Sequence, residues 1–173
     1  MNTNDKFLDK IKFVKDFPKQ GINFVDYSDI FSNEKSLIQL QIYIMKLLKN
    51  KESPDYVVGI ESRGFSFAAM ISFIYNIPLV FARKAGKLPN KVKSINYDTE
   101  YSNTSIEMQN KDIKKNKKYL IVDDVLATGG TLNAVKNLIE KNKGIVLNSF
   151  VFIDINLKNC EYDKKKLIKI IDV

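Results

Sequence analysis

Residues 122–131, Val-Asp-Asp-Val-Leu-Ala-Thr-Gly-Gly-Thr, combine groups that can bind a phosphate with groups that can bind a sugar. The turn at residues 128–131 can wrap a phosphate, because glycine allows close backbone approach, hydroxyls donate hydrogen bonds, and a helix start presents free N–H groups. Asp123 and Asp124 would repel that phosphate, so we expect them to bind vicinal sugar hydroxyls or to orient a hydrated Mg²⁺. The stretch therefore predicts a ribose 5-phosphate site. The alternative is an acidic strand end and a glycine turn that only caps a helix.

The composition limits the chemistry available to the chain. It contains no histidine, which excludes Ser-His-Asp triads, histidine proton shuttles and imidazole metal ligands. Cys160 is the only cysteine, so neither an intrachain disulfide nor a thiolate-rich metal site can form. Any general acid–base catalysis must therefore use carboxylates, lysine or tyrosine. The formal net charge of +8 favours polyanionic partners, although we interpret the lysine runs at residues 114–118 and 164–166 as solvated faces.

The spacing of apolar residues predicts helices and strands in alternation. One helix is predicted over residues 33–48, capped by Ser32, and another begins near Arg63 and reaches about Tyr75. A third helix follows the turn at residues 128–131. Strands are predicted at residues 56–60, 77–82, 119–122 and 145–155. This order predicts the α/β class with a doubly wound parallel sheet.

The length and composition of the chain predict one compact domain spanning residues 1–173. Residues 86–108 are polar and alternate only weakly, which predicts a mobile excursion or an edge hairpin. No segment has the apolar run of a signal peptide or of a membrane span. We therefore expect a cytoplasmic protein without membrane association.

Residues 122–131 resemble the phosphoribosylpyrophosphate-binding motif of the type I phosphoribosyltransferases, and the Ala-Thr-Gly-Gly-Thr ending is similar to the adenine branch of that family. Residues 59–65 are similar to the family's pyrophosphate loop. Residues 83–89 are similar to a basic segment that reaches a pyrophosphate, in part across a homodimer interface. Residues 97–101 resemble a closing loop, and a hood at about residues 16–30 resembles the segment that stacks on the purine.

The resemblance implies the roles of individual residues. Glu100 is the implied acid–base residue near the base, and Asp124 and Arg63 complete the implied catalytic set. Substrate contacts are implied for Asn23, Phe24, Arg63, Arg83, Lys84, Lys87, Tyr101, Asp123, Asp124, Ala127, Thr128, Gly129, Gly130 and Thr131. The guanidinium of Arg63 suits a pyrophosphate because it is planar and carries five donors. Mg²⁺ is implied as a complex with the donor substrate, with no metal ligand from the chain itself.

The resemblance implies transfer of phosphoribose from 5-phosphoribosyl-1-pyrophosphate to adenine, with AMP and pyrophosphate as products in purine salvage, by a homodimer. The transition state would have oxocarbenium character, so electrostatic positioning would supply most of the catalysis. Family members commonly have Pro where Gln20 stands and Arg where Val25 stands, which leaves hypoxanthine, guanine or xanthine as alternative bases.

A non-enzymatic alternative is a regulator that senses a phosphoribosyl ligand and binds nucleic acid through basic surface. The residues before Tyr56 predict a hood and one packed helix instead of a helix-turn-helix. We therefore expect no nucleic-acid partner.

Overall fold

The computed structural model of the protein describes residues 6–98 and 103–173. The chain divides into two compact units, Met1–Lys51 and Glu52–Val173. The single domain expected from the sequence stays a prediction. None of the helices in the described residues is long and apolar enough to cross a membrane.

The first unit contains a small sheet and two helices. Strand β1 (Lys12–Lys15) pairs antiparallel with β2 (Asn23–Asp26), and helices α1 (Ser28–Phe31) and α2 (Glu34–Leu48) follow. Helix α2 buries four residues spaced four apart, as expected of an amphipathic helix that covers a core. These are Ser36, Leu40, Ile44 and Leu48.

The cap predicted for α2 is wrong by one residue. The side chain of Asn33 accepts a hydrogen bond from the backbone N–H of Ser36 at 3.0 Å, so Asn33 is the N-cap. Ser32 instead ends α1, where its N–H donates to the carbonyl of Ser28. The backbone of Ser32 is still in the right-handed helical conformation, whereas the extended backbone that an N-cap residue adopts is found at Asn33.

The second unit is built on a seven-stranded sheet in the order β5-β6-β4-β3-β7-β8-β9. Its strands are β3 (Tyr56–Ile60), β4 (Leu79–Lys84), β5 (Val92–Asp98), β6 (Asn103–Gln109), β7 (Lys118–Leu126), β8 (Ile145–Asp154) and β9 (Leu167–Asp172). Strands β4, β3, β7, β8 and β9 run parallel, which confirms the predicted doubly wound parallel sheet. The antiparallel hairpin β5–β6 forms one edge, which is the second of the two alternatives that the polar stretch left open.

Helices α3 (Gly64–Tyr75) and α4 (Gly130–Lys141) cover opposite faces of this sheet. On β8, Phe150 and Phe152 contact Phe67 of α3, with ring centroids 6.4 Å and 5.0 Å apart. Val151, between them, belongs instead to the core cluster that contains Leu132 of α4. Because successive residues of a strand point to opposite faces, the two helices must lie on different sides of the sheet.

Several strands differ from the sequence prediction. Strand β4 begins at Leu79 instead of residue 77, because α3 ends in the left-handed residue Asn76 and the N–H of Ile77 still bonds to Ser72. Strand β7 continues to Leu126 and therefore contains the two acidic residues. Strand β9 was not predicted.

A buried carboxylate joins β8 to the chain that follows it. Asp154 has no exposed surface, and its oxygens lie 2.8 Å from Nζ of Lys164 and 3.1 Å from Nζ of Lys169. Burial would raise the pKa of Asp154, but hydrogen bonds from Lys164, the backbone of Asn156 and Lys169 outweigh it, so the pKa lies below its usual value. The lysine run at residues 164–166 thus has a partner inside the protein.

Asp154→Asn is expected to lower the free energy of unfolding at pH 7 by about 1–3 kcal/mol. Because the folded-state pKa is lowered, the stabilisation is complete above the unfolded value of about 3.9 and is lost as the pH falls through the folded value. The substitution should therefore reduce the acid dependence of stability below about pH 5. Urea unfolding followed by circular dichroism over a pH series measures both effects.

The matched control is Asp29→Asn, which removes the same charge from an exposed pair with Lys12. It should leave the stability within about 0.5 kcal/mol of the parent. An Asp154→Asn protein with the parent's acid dependence would contradict the prediction.

Candidate functional site

A cavity of about 260 Å³ opens at the carboxyl ends of the parallel strands, where open α/β sheets bind ligands. Five predicted site residues line it: Arg63, Lys84, Asp123, Asp124 and Thr131. They come from three separate segments of the sequence, and the parallel strands bring them to one edge. Both cations and both carboxylates face the same space, which suits a compact ligand with anionic and hydroxyl groups.

The two acidic side chains lie near the end of β7 beside Arg63. Asp124 is buried, and its Oδ2 lies 2.8 Å from Nε of Arg63. The backbone N–H of Asp124 donates to Oδ1 of Asp123 at 2.9 Å. Burial, and then the charge of Asp124, raises the pKa of Asp123 well above its usual range, while Arg63 opposes the rise. A cation near Asp123 would therefore favour its ionised form.

The loop between β3 and α3 packs directly on β7. The peptide between Glu61 and Ser62 is cis, and Gly64 starts the helix. A Cβ at Gly64 would lie 2.9 Å from the carbonyl oxygen of Val122 and 3.0 Å from Oδ1 of Asp123. The absence of a side chain at Gly64 therefore lets the loop sit against the acidic pair.

Arg83 joins this loop to the following basic turn. Its Nη2 donates to Oε1 of Glu61 at 2.8 Å, and its Nη1 donates to the carbonyl of Lys87 at 2.9 Å. The N–H of Lys84 donates to the other oxygen of Glu61 at 3.1 Å. The hydrogen bond from Arg83 is the main cause of a lowered pKa at Glu61, so this carboxylate stays charged.

A glycine in the left-handed conformation connects β7 to α4. Gly129 is the N-cap of α4 with φ of +87°, a backbone conformation that glycine adopts readily. The first N–H groups of the helix have no intrahelical acceptor. Thr131 faces the cavity, and its Oγ1 lies 3.4 Å from the hydroxyl of Tyr97 on β5. The turn therefore offers backbone and hydroxyl donors beside the acidic pair.

The other predicted residues that the structure describes do not line this cavity. Arg83 and Lys87 lie next to it and contact each other, and residues 127–130 form the turn leading into Thr131. Asn23 and Phe24 belong to β2 of the first unit, where the Phe24 ring meets Phe17 edge to face at 5.2 Å. Glu100 and Tyr101 lie outside the described residues.

Within residues 6–98 and 103–173, five further residues line the cavity that were not named as site residues from the sequence. They are Ile60, Glu61, Ser62, Tyr97 and Ile106. Glu61 and Ser62 stand inside the recognised loop, and Tyr97 begins the recognised closing segment, so the sequence did carry a signal for them. Ile60 and Ile106 are apolar strand residues that nothing in the sequence separates from the core.

Known proteins resemble this chain over nearly its whole length. A family model described as phosphoribosyl transferase domain matches residues 26–172. Adenine phosphoribosyltransferase of Ureaplasma parvum serovar 3 is 42% identical over 149 residues, covering 86% of each chain.

Two crystal structures show the same fold. One is the adenine phosphoribosyltransferase of Thermoanaerobacter pseudethanolicus, with a TM-score of 0.89 at 31% identity over 99% of this chain and 100% of that one. The other is the enzyme of Giardia lamblia with 9-deazaadenine, with a TM-score of 0.89 at 34% identity over 100% and 99% of the chains. The cavity at the ends of β3, β4 and β7 thus belongs to a fold shared with these enzymes, and this chain is a member of the phosphoribosyltransferase family, in its adenine phosphoribosyltransferase branch.

Proposed function

We infer that this chain transfers the 5-phosphoribosyl group of 5-phosphoribosyl-1-pyrophosphate to adenine, forming AMP and pyrophosphate in purine salvage. The observation that carries the inference is the cavity in which Asp123, Asp124 and Arg63 adjoin the turn at residues 128–131. A phosphate site, a diol site and an arginine in one cavity match the three parts of that donor. The choice of adenine as the base rests on the similarity of this chain to adenine phosphoribosyltransferases.

We propose that the 5-phosphate binds at Ala127 and residues 128–131. The free N–H groups at the start of α4 and the helix dipole favour a dianion there. Thr131 would add a hydroxyl donor from inside the cavity. Asp123 and Asp124 then lie where they can accept hydrogen bonds from the ribose hydroxyls, and the negative charge of Asp124 would stabilise positive charge that develops on the ribose ring.

The pyrophosphate is proposed to bind between the loop that follows β3 and the basic turn that follows β4. Arg63 and Lys84 face the cavity there. Glu61 holds Arg83 and the backbone of Lys84 in place, which keeps the two segments together. Lys87 would add a second lysine, and Arg83 a further cation if its contacts rearrange around the leaving group.

The donor set suits Mg²⁺ that arrives with the substrate. Among residues 6–98 and 103–173, no group of three carboxylates or cysteines could enclose a metal ion. Asp123 and Asp124 would instead hold the ion through its waters, which matches the reluctance of Mg²⁺ to lose its waters. Bound there, Mg²⁺ would offset the charge of the pyrophosphate.

The base side of the site is proposed to include Asn23 and Phe24, with Glu100 as the acid–base residue and Tyr101 as an orienting residue. Strand β5 runs in the same direction as β3 and β4, so its last residue, Asp98, lies at the sheet edge that carries the acidic pair. This direction supports the proposed roles of Glu100 and Tyr101, which follow β5 in the sequence. We further propose a cytoplasmic homodimer that binds no nucleic acid.

A spectrophotometric assay with adenine, 5-phosphoribosyl-1-pyrophosphate and Mg²⁺ tests the function. The parent is expected to form AMP, with hypoxanthine, guanine and xanthine as much poorer substrates. Glu100→Gln keeps the shape of the side chain and removes its basicity, so it should lower kcat by about 10²-fold or more. The matched control is Glu52→Gln, because Glu52 is exposed and pairs with Lys118 at the opposite end of β7, so this variant should keep most of the activity. Absence of turnover with adenine in the parent would contradict the proposal.

A further inference from the structure

The connection between β8 and β9, residues 155–166, contacts the turn at residues 128–131 through its backbone. The N–H of Glu161 donates to the carbonyl of Thr128 at 2.9 Å. The Nδ2 of Asn133, in the first turn of α4, donates to the carbonyl of Glu161 at 3.4 Å. Neither Glu161 nor Asn133 lines the cavity, so these contacts reach the turn from outside the site.

The hydrogen bond to Thr128 fixes the orientation of the next peptide group. The peptide between Thr128 and Gly129 is trans, and in a trans peptide the C=O and the N–H point in opposite directions. Because the carbonyl of Thr128 points at the β8–β9 connection, the N–H of Gly129 points away from it. The carbonyl of Thr128, which would repel an anion, therefore faces the β8–β9 connection. The N–H of Gly129, which can donate to an anion, faces the opposite side.

Tyr162 packs against the same turn. A Cβ at position 129 would lie 2.6 Å from Cβ of Tyr162 and 3.0 Å from its backbone nitrogen. The backbone of Gly129 therefore lies directly on the backbone of Tyr162. As long as Tyr162 keeps its place, the turn cannot relax toward the β8–β9 connection.

The side chain of Tyr162 is itself anchored in the core. It is 6% exposed, and its hydroxyl lies 2.6 Å from Oγ of Ser149, a fully buried residue of β8. The ends of the connection are also held, because Lys164 reaches Asp154 at 2.8 Å and the N–H of Asn156 donates to Asp154 at 3.0 Å. Tyr162 thus links a rigid strand to the back of the turn.

We propose that Tyr162, held by Ser149, is a positioning residue that keeps residues 128–131 in the conformation that binds the 5-phosphate. This proposal rests on the proposed function, since it takes the turn as the 5-phosphate site. Tyr162 touches no substrate and acts through Gly129 and the Glu161–Thr128 hydrogen bond. Its effect should be confined to substrates that carry a 5-phosphate.

Kinetics in both directions test the proposal, because 5-phosphoribosyl-1-pyrophosphate and AMP carry the 5-phosphate while adenine and pyrophosphate do not. Tyr162→Phe and Ser149→Ala each remove the same hydrogen bond from opposite sides. Each should raise KM for the two 5-phosphate substrates about three- to tenfold. KM for adenine and for pyrophosphate, and kcat, should change less than about twofold. The double variant should match the single ones, because only one bond is lost.

The matched control is Tyr119→Phe. Tyr119 is fully buried, and its hydroxyl accepts from the N–H of Lys114 at 2.7 Å and donates to the carbonyl of Asp112 at 3.0 Å. It should lose a similar amount of thermal stability with no change in any KM. Equal rises in all four KM values, no rise at all, or additive effects in the double variant would overturn the proposal. A parent protein without turnover would instead contradict the proposed function. If Tyr162→Phe does not fold, Ser149→Ala alone tests the proposal, because it removes the same hydrogen bond.

Discussion

Asp124→Asn is expected to lower kcat/KM for 5-phosphoribosyl-1-pyrophosphate by about 10²–10³-fold. Asparagine keeps the size of the side chain but removes the charge, so Arg63, 2.8 Å away, loses its ion-pair partner. A carboxylate in a cavity that is partly shielded from water acts more strongly on a ligand than one in bulk solvent. The loss should therefore appear in binding and in kcat together.

Steady-state rates of AMP formation measure this loss. The matched control is Asp55→Asn, because Asp55 also pairs with a cation, Lys117 at 2.9 Å, but lies outside the cavity. That variant should keep kcat/KM within about twofold of the parent, since Asp55 precedes β3 and touches the start of β7, away from the strand ends that form the cavity. Normal rates in Asp124→Asn would remove the acidic pair from the proposed mechanism.

Gly129→Ala is expected to lower the free energy of unfolding by about 2–5 kcal/mol and to abolish most activity. A φ of +87° is a strained backbone conformation for alanine. Its Cβ would also lie 2.6 Å from Cβ of Tyr162. The neighbour is main chain and the first side-chain atom, so it cannot swing away. Either the turn or the β8–β9 connection must therefore move. Urea unfolding followed by circular dichroism measures the loss in free energy of unfolding.

Gly21→Ala separates the two contributions. Gly21 has almost the same φ, +86°, but nothing lies within 4 Å of a Cβ built there. It should lose only the conformational part, about 1–2 kcal/mol. Equal losses in the two variants would show that contact with Tyr162 adds nothing at position 129.

The sequence predicted the elements whose burial pattern is regular. Strand β3 and helix α3 have the limits that were expected, because an apolar run and a helical period mark them and Asn76 ends the helix. Strand β1 was missed since all of its residues are exposed, so no alternation marks it. Strand β9 was missed because Lys169, which pairs with Asp154, interrupts its apolar residues.

The site could be predicted only where its chemistry is contiguous. Residues 123–131 combine acids, glycines and hydroxyls in one stretch, and Arg63 stands in a second recognisable loop. The contact of Tyr162 with Gly129 joins residues 33 positions apart in the sequence. The pairing of Glu61 with Arg83 spans 22 positions. Contacts of this kind depend on the packing of the sheet, which no local pattern encodes.

The buried carboxylate of Asp154 can form its ion pairs only after residues that follow it in the sequence have been synthesised. Its hydrogen-bond partners Lys164 and Lys169 follow it by 10 and 15 positions. A ribosome therefore synthesises β8 before the charges that neutralise its last residue. Until those lysines emerge, burying Asp154 would place an unpaired charge in the protein interior. We expect the β8–β9 pairing to form only after Lys169 has been synthesised, and the turn that the connection supports to reach its final shape only then.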